Sequence, residues 1–128
     1  MNRGYEVGTS VWVSAFHRQP DVPGPESDLH SHEYRIDVVV ERTELDQRGM
    51  VCDLDGLNDA LRGIASRVDG RNLDEIRPRG AEAVTVEVFA RWAHEELTPT
   101  VRAAGAEALS VRVWESAEGF GGYRGPVR

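Results

Sequence analysis

The stretch His30-Ser31-His32-Glu33-Tyr34-Arg35-Ile36-Asp37-Val38-Val39-Val40 decides the fold and places the candidate site. Its even-numbered side chains are two histidines followed by a tyrosine and three aliphatic residues, whereas the odd-numbered ones are mostly polar. Alternation with a period of two is typical of a strand with one buried face. The two histidines therefore continue the buried face of a strand predicted over residues 30–40.

A third histidine, His17, ends a second alternating segment, residues 5–17. Between the two segments, residues 18–28 contain three prolines and form a predicted loop. If the two strands pair, His17 can reach His30 and His32. Three imidazoles without a fourth protein ligand are typical of a catalytic zinc site with an open coordination position. The sequence thus predicts Zn²⁺ as the cofactor.

Two helices follow in the predicted order. The first begins after Asp53 and ends near Gly70, with an apolar stripe of Leu54, Leu57, Leu61, Ile64 and Val68. The second is capped by Thr85 and is predicted to end at Pro99, with Val86, Phe89, Ala90, Ala93 and Leu97 directed inward. His94 lies off this stripe, so we expect a solvated side chain.

The chain closes with a strand over residues 109–115, a glycine-rich turn over 119–122 and a short strand around Tyr123. The predicted order is therefore β-β-α-α-β-β. Short connections between successive strands favour an antiparallel sheet, with both helices on one face. We predict an α+β fold and one domain spanning residues 1–128.

The composition restricts the function. A net charge of −7 argues against nucleic-acid binding, which depends on basic surfaces. No apolar run approaches the roughly 20 residues of a membrane span, and the first residues do not resemble a signal peptide. Cys52 is the sole cysteine, so an internal disulfide is excluded. These features predict a cytoplasmic protein, for which a small anionic substrate remains possible.

Seven motifs resemble, in order, those of the 6-pyruvoyl-tetrahydropterin synthase and 6-carboxy-tetrahydropterin synthase family, small proteins of the tunnelling fold. Val-Ser-Ala-Phe-His, ending at His17, is similar to Phe-x-Ala-Ala-His, and Leu-His-Ser-His, ending at His32, to Leu-His-Gly-His. The other five segments that resemble family motifs are residues 49–54, 68–73, 85–87, 113–116 and 123–125. The resemblance thus covers nearly the whole chain.

The resemblance implies an assembly and a substrate. Family members form homotrimers that close a barrel and stack into homohexamers, with sites at subunit interfaces. Their three histidines hold Zn²⁺, which binds the side-chain oxygens of a pterin. By this resemblance Glu115, with Thr85 and Glu87 nearby, anchors the pterin ring. Arg71 is a candidate contact for an anionic part of the substrate.

Two positions depart from the family pattern. Glu26 stands where the family has its catalytic cysteine, and Gly70 stands where it has its catalytic histidine. Of the proton-transfer set only Asp69 remains. Glutamate at this position resembles one subgroup, whose zinc enzymes cleave the side chain of dihydroneopterin triphosphate. Glu26 and Asp69 are therefore the predicted catalytic residues of a zinc-dependent lyase, with Glu26 as proton acceptor.

Alternatives remain open at this point. A repurposed zinc enzyme would perform aldol or retro-aldol chemistry on a non-pterin metabolite, and a non-catalytic homologue would only bind a ligand. Glu87 is also explained by the helix dipole, and Thr85 by its capping role. Glu115 ends an apolar strand face, where we expect an unpaired carboxylate to be costly, which favours a ligand contact.

Overall fold

Four antiparallel strands form one sheet in their order along the chain. The computed structural model describes residues 3–18 and 23–127, except for the side chain of Glu26. The strands are β1 (Tyr5–His17), β2 (His30–Arg42), β3 (Ala108–Trp114) and β4 (Phe120–Pro126). The predicted strand order and sheet type are confirmed.

The register of β1 and β2 follows the buried rows seen in the sequence. The two strands pair over their whole length, with His17 opposite His30 and Ala15 opposite His32. From Tyr34 to Val40 the even-numbered side chains of β2 are buried. Because a slip of one residue would move this row to the other face, its burial fixes the register. The pairing consequently places all three histidines at one end of the sheet.

Helices α1 (Leu54–Ser66) and α2 (Val86–Ala103) contact each other and cover this buried row. α1 packs on β1, and α2 packs on β3 and β4. Most of the predicted inward residues are buried, but Leu54, the first residue of α1, is exposed. Within the described ranges, no helix combines the length and apolar character that crossing a membrane requires.

Two expectations for α2 are wrong. The helix does not end at Pro99 but continues to Ala103, because Val101 is buried in the core and its burial favours another turn. The Thr98 hydroxyl donates to the His94 carbonyl oxygen at 2.7 Å within this last part of the helix. His94 is only 5% exposed rather than solvated, because it packs edge-on against Tyr123 of β4.

Gly121 of β4 lies directly against the first turn of α2. A Cβ atom at this position would lie 2.6 Å from Val86 Cγ2 and 3.0 Å from Glu87 Oε1. We expect Gly121→Ala to lower the free energy of unfolding by about 1–3 kcal/mol, the usual cost of overpacking. Gly63→Ala in α1 is the control, because it has open space around its Cβ and should stabilise the helix slightly. Urea unfolding of both variants measures the difference, and equal stability would contradict the expected clash.

Candidate metal centre

The three predicted ligands meet on the helix-covered face of the sheet. His17 is the last residue of β1, and His30 and His32 are the first and third residues of β2. Their ring centroids are separated by 4.5 Å (His17–His30), 5.1 Å (His17–His32) and 4.8 Å (His30–His32). One nitrogen of each ring can be chosen so that all three lie within 4.8 Å of one another, a group that could hold a metal ion.

The orientation of His30 is fixed by a backbone group. Its Nδ1 lies 2.8 Å from the Asp28 carbonyl oxygen, and since a carbonyl only accepts, Nδ1 carries the hydrogen. The lone pair of neutral His30 is then on Nε2, which lies 3.1 Å from Nε2 of His32. Two imidazole nitrogens on tetrahedral zinc, with Zn–N bonds of 2.0–2.1 Å, would be about 3.3 Å apart. This pair therefore fits zinc with little movement.

His17 is the buried member of the group. It is 5% exposed, and among the described residues neither of its ring nitrogens has a hydrogen-bond partner. Burial, followed by the neighbouring His30 and His32, lowers its pKa; the nearby Val84 carbonyl opposes this without forming a hydrogen bond of ordinary geometry. A neutral imidazole is the form that binds metals. An unpaired buried nitrogen is costly, and a bound cation would satisfy it.

Tyr34 packs edge-on against two of the histidine rings, those of His17 and His32. Its side chain is 1% exposed, and its ring lies 5.6 Å from that of His32 and 5.5 Å from that of Phe89 in α2. Burial first, and Glu115 second, strongly raise the pKa of its hydroxyl. Tyr34 therefore stays a neutral phenol and supports the histidine rings by packing.

Glu115 lies just beyond the end of β3 and is exposed. The expectation that its carboxylate is a costly buried charge is therefore wrong, because the strand ends one residue earlier. Its charge nevertheless acts on the centre, since it raises the pKa of both Tyr34 and His17. Glu115 thus influences the centre electrostatically while remaining available to solvent.

Thr85 and Glu87 belong to the first turn of α2, next to the centre. Thr85 is the N-cap, and its side chain accepts a hydrogen bond from the Val88 amide at 3.1 Å. The Glu87 carboxylate lies over Gly121 of β4. Thr85 thus has a structural role as the cap of the helix. The predicted contacts of Thr85 and Glu87 with substrate stay predictions.

Asp69 and Arg71 lie along the outer edge of β1, on the side away from β2. Asp69 Oδ1 accepts a hydrogen bond from the Ser14 amide at 2.9 Å, and Arg71 pairs with Glu75 at 2.7 Å. Glu26 lies in a one-turn 3-10 helix, Pro25–Ser27, just before His30. Its side chain lies outside the described part of the chain, so its catalytic role stays a prediction.

Sequence reasoning did not find the backbone groups of this centre. The carbonyls of Asp28 and Val84 face imidazole rings. Because every residue has a backbone carbonyl, the residue type does not reveal which carbonyl makes such a contact. Tyr34 was recognisable only as a member of the buried row, and its contact with the rings depends on how the sheet packs against α2.

The fold and the centre define a class: an α+β protein whose antiparallel sheet carries a three-histidine site beneath a helix. The family model described as 6-pyruvoyl tetrahydropterin synthase matches residues 6–126, and the chain belongs to this family. Comparison with curated proteins found no match.

Solved structures agree on the fold. The 6-pyruvoyl tetrahydropterin synthase of Caenorhabditis elegans is 23% identical, with a TM-score of 0.76 and 96% of each chain covered. The Plasmodium falciparum enzyme is 14% identical, with a TM-score of 0.71, covering 98% of this chain and 99% of the other. A Plasmodium vivax variant whose catalytic glutamate is replaced by alanine is 14% identical, with a TM-score of 0.69 and the same coverage.

Cys52 is not placed to take the catalytic role that the resemblance implies for a cysteine at position 26. It is buried just before α1, next to the end of the sheet opposite the histidines. Burial, and then Asp53, raise the pKa of its thiol. Since the thiolate is the reactive form, we expect slow labelling by a disulfide reagent at pH 8 in the folded protein and fast labelling in urea. Equally fast labelling in the folded and the urea-unfolded protein would contradict the inference that the Cys52 thiol is buried and unreactive.

Proposed function

We propose that this protein is a zinc-dependent lyase that acts on 7,8-dihydroneopterin triphosphate or a related pterin-like substrate. The observation that carries the proposal is the three-imidazole group, in which buried His17 lacks any partner among the described residues. Membership of the 6-pyruvoyl tetrahydropterin synthase family supports a pterin as the substrate class.

The donor set suits Zn²⁺. Three neutral imidazoles leave one position of a tetrahedral ion open, as in catalytic rather than structural sites. When bound, zinc would supply a Lewis acid that makes a substrate hydroxyl more acidic. His17, His30 and His32 would bind the zinc ion, and the Asp28 carbonyl orients the His30 ring.

Glu26 is our candidate for the proton acceptor. It precedes His30 by four residues, and the short helix containing it leads directly into β2. A carboxylate near a divalent cation stays ionised and can accept a proton from a substrate hydroxyl. A glutamate is also described as a catalytic residue in the Plasmodium vivax relative, which supports this choice. Asp69 remains the second predicted catalytic residue.

Substrate binding would fall to residues outside the three-histidine group. Glu115 is exposed close to the histidines, and Thr85 and Glu87 begin α2 beside them. We propose Glu115 as the anchor of the pterin ring, with Thr85 and Glu87 as further contacts and Arg71 for an anionic group. We further propose one domain over residues 1–128 and, from the family, a homotrimer or homohexamer with shared sites.

Product identity tests this function. Zinc-loaded protein would be incubated with 7,8-dihydroneopterin triphosphate and the products identified by mass spectrometry. A 6-hydroxymethyl-dihydropterin product would establish side-chain cleavage, and Glu26 would then be the first residue to test as the base. A pyruvoyl or carboxy product would mean that other groups replace the family cysteine and histidine. No reaction, with zinc confirmed at the histidines, would overturn the proposed substrate.

The surroundings of Gly70 favour a second candidate, a zinc enzyme acting on a non-pterin metabolite. Gly70 occupies the position of the family histidine, and nothing lies within 4 Å of where its Cβ would be. A site without that histidine side chain would admit a differently shaped substrate. Such an enzyme should need the three histidines yet tolerate Glu115→Ala, whereas a pterin lyase should lose substrate affinity in that variant.

A further inference from the structure

The outer edge of β1 beside the metal centre is covered by residues 69–72. The Ser14 amide donates to Asp69 Oδ1 at 2.9 Å, and the Gly70 amide donates to the Ser14 carbonyl at 2.6 Å. Two residues further on, the Phe16 amide donates to the Arg71 carbonyl at 2.9 Å, and Phe16 forms a parallel bridge with Asn72. Residues 69–72 thus act as a short additional strand.

Asp69 provides the one side-chain bond in this set of contacts. The Ser14 and Phe16 amides point away from β2, whereas His17, at the end of β1, pairs with His30 on the other side. The Asp69 carboxylate therefore helps to hold the last residues of β1, and His17 with them, from the side opposite β2.

Gly70 makes this arrangement possible. Its φ of +74° is a left-handed conformation that residues with a side chain adopt only with strain. This turn lets the Asp69 carboxylate and the Gly70 amide meet the amide and carbonyl of the same residue, Ser14. The glycine at this position is thus explained by its backbone conformation.

We propose that Asp69 is a positioning residue for the metal: through Ser14 it fixes the end of β1 so that His17 stays in place as a ligand. This inference rests on zinc binding by the three histidines, as proposed above. It gives Asp69 a task that needs an acceptor oxygen rather than a base. Asparagine keeps such an oxygen but cannot take up a proton at neutral pH, so the two roles can be separated.

The test compares zinc affinity in Asp69→Ala and Asp69→Asn by competition with a chromophoric chelator. Partners that orient a metal ligand typically contribute 10–100-fold to affinity, so Asp69→Ala should weaken zinc binding by about tenfold or more. Asp69→Asn should stay within about threefold of the unmodified protein, because the hydrogen bond is kept. The Co²⁺ absorption spectrum should change in the alanine variant and stay unchanged in the asparagine variant.

Glu107→Ala is the matched control. Glu107 also holds a backbone amide with its carboxylate, accepting from Thr43 at 2.8 Å, but does so at the end of β2 far from the histidines. The Glu107→Ala substitution should therefore leave zinc affinity unchanged. In metal-free protein, hydrogen exchange of the Ser14 and Phe16 amides should be faster in Asp69→Ala than in the unmodified protein. It should be unchanged in Glu107→Ala.

The outcomes separate the two hypotheses. Faster exchange in Asp69→Ala with unchanged zinc affinity would overturn the positioning role. Equal loss of zinc affinity in the alanine and asparagine variants would also overturn it, because charge rather than the hydrogen bond would then matter. Failure of the unmodified protein to bind zinc would instead overturn the proposed function itself.

Discussion

His17→Leu is expected to abolish tight zinc binding without destabilising the metal-free protein. His17 buries two ring nitrogens that have no hydrogen-bond partner within the described ranges. An unsatisfied buried polar group costs about 1–3 kcal/mol, so an apolar side chain of similar size should be neutral or stabilising. The same change removes one of three ligands, so zinc affinity should fall by at least about 100-fold.

Two measurements check this prediction. Calorimetric titration gives the zinc affinity, and urea unfolding with and without zinc gives the stability. Zinc at about a thousand times its Kd should stabilise the unmodified protein by about 4 kcal/mol, and this gain should disappear in His17→Leu.

The control is His94→Leu, at the other buried histidine of the described structure. The ring of His94 has possible partners, the Thr98 hydroxyl and the Gly125 carbonyl, each at 3.4 Å. Its replacement should therefore lower the stability of the metal-free protein by about 1 kcal/mol and leave zinc affinity unchanged. A large loss of metal-free stability in His17→Leu, with zinc binding retained, would refute the role of His17 as a ligand.

Glu26→Gln is expected to lower kcat for 7,8-dihydroneopterin triphosphate by about 10²–10⁴-fold, the usual contribution of a general base. Glutamine has nearly the same shape as glutamate but cannot accept the proton of a substrate hydroxyl. Zinc affinity should fall far less than kcat, because Glu26 is not among the three ligands and contributes only the attraction of a nearby charge. Steady-state kinetics on the zinc-loaded variant measures the effect, with the zinc content determined in parallel.

Glu33→Gln provides the comparison for Glu26. Glu33 is exposed and follows His32 directly, on the opposite side of β2 from the histidine rings. Its replacement removes the same charge close to the site in sequence, yet kcat should change less than about twofold. An equal loss of kcat in both variants would mean that the negative charge near the site, rather than a base at position 26, supports turnover. Unchanged turnover in Glu26→Gln would refute Glu26 as the base.

The sequence by itself was enough to predict the order of the elements and the grouping of the three histidines. Alternation along residues 5–17 and 30–40 predicts two strands with buried faces, and the apolar stripes predict two helices. These patterns are local, so they can be recognised without knowing what packs against them. The histidines could be grouped because each continues a buried row, and pairing of neighbouring strands aligns the rows.

Other properties depended on contacts that no local pattern contains. Burial of Val101 outweighs the tendency of Pro99 to end α2, and contact with β4 covers His94. The end of β3 at Trp114 leaves Glu115 exposed, although the alternating pattern extends one residue further. Element ends and exposure are decided by which surfaces meet, so propensity alone predicts them poorly.

The surroundings of the histidines were likewise set by the tertiary structure alone. The Asp28 carbonyl orients His30, the Val84 carbonyl faces His17, and residues 69–72 cover the edge of β1. Backbone groups are the same in every residue, so their positions follow from the path of the chain and not from residue type. The sequence supplied the ligands, whereas the fold decided what holds them in place.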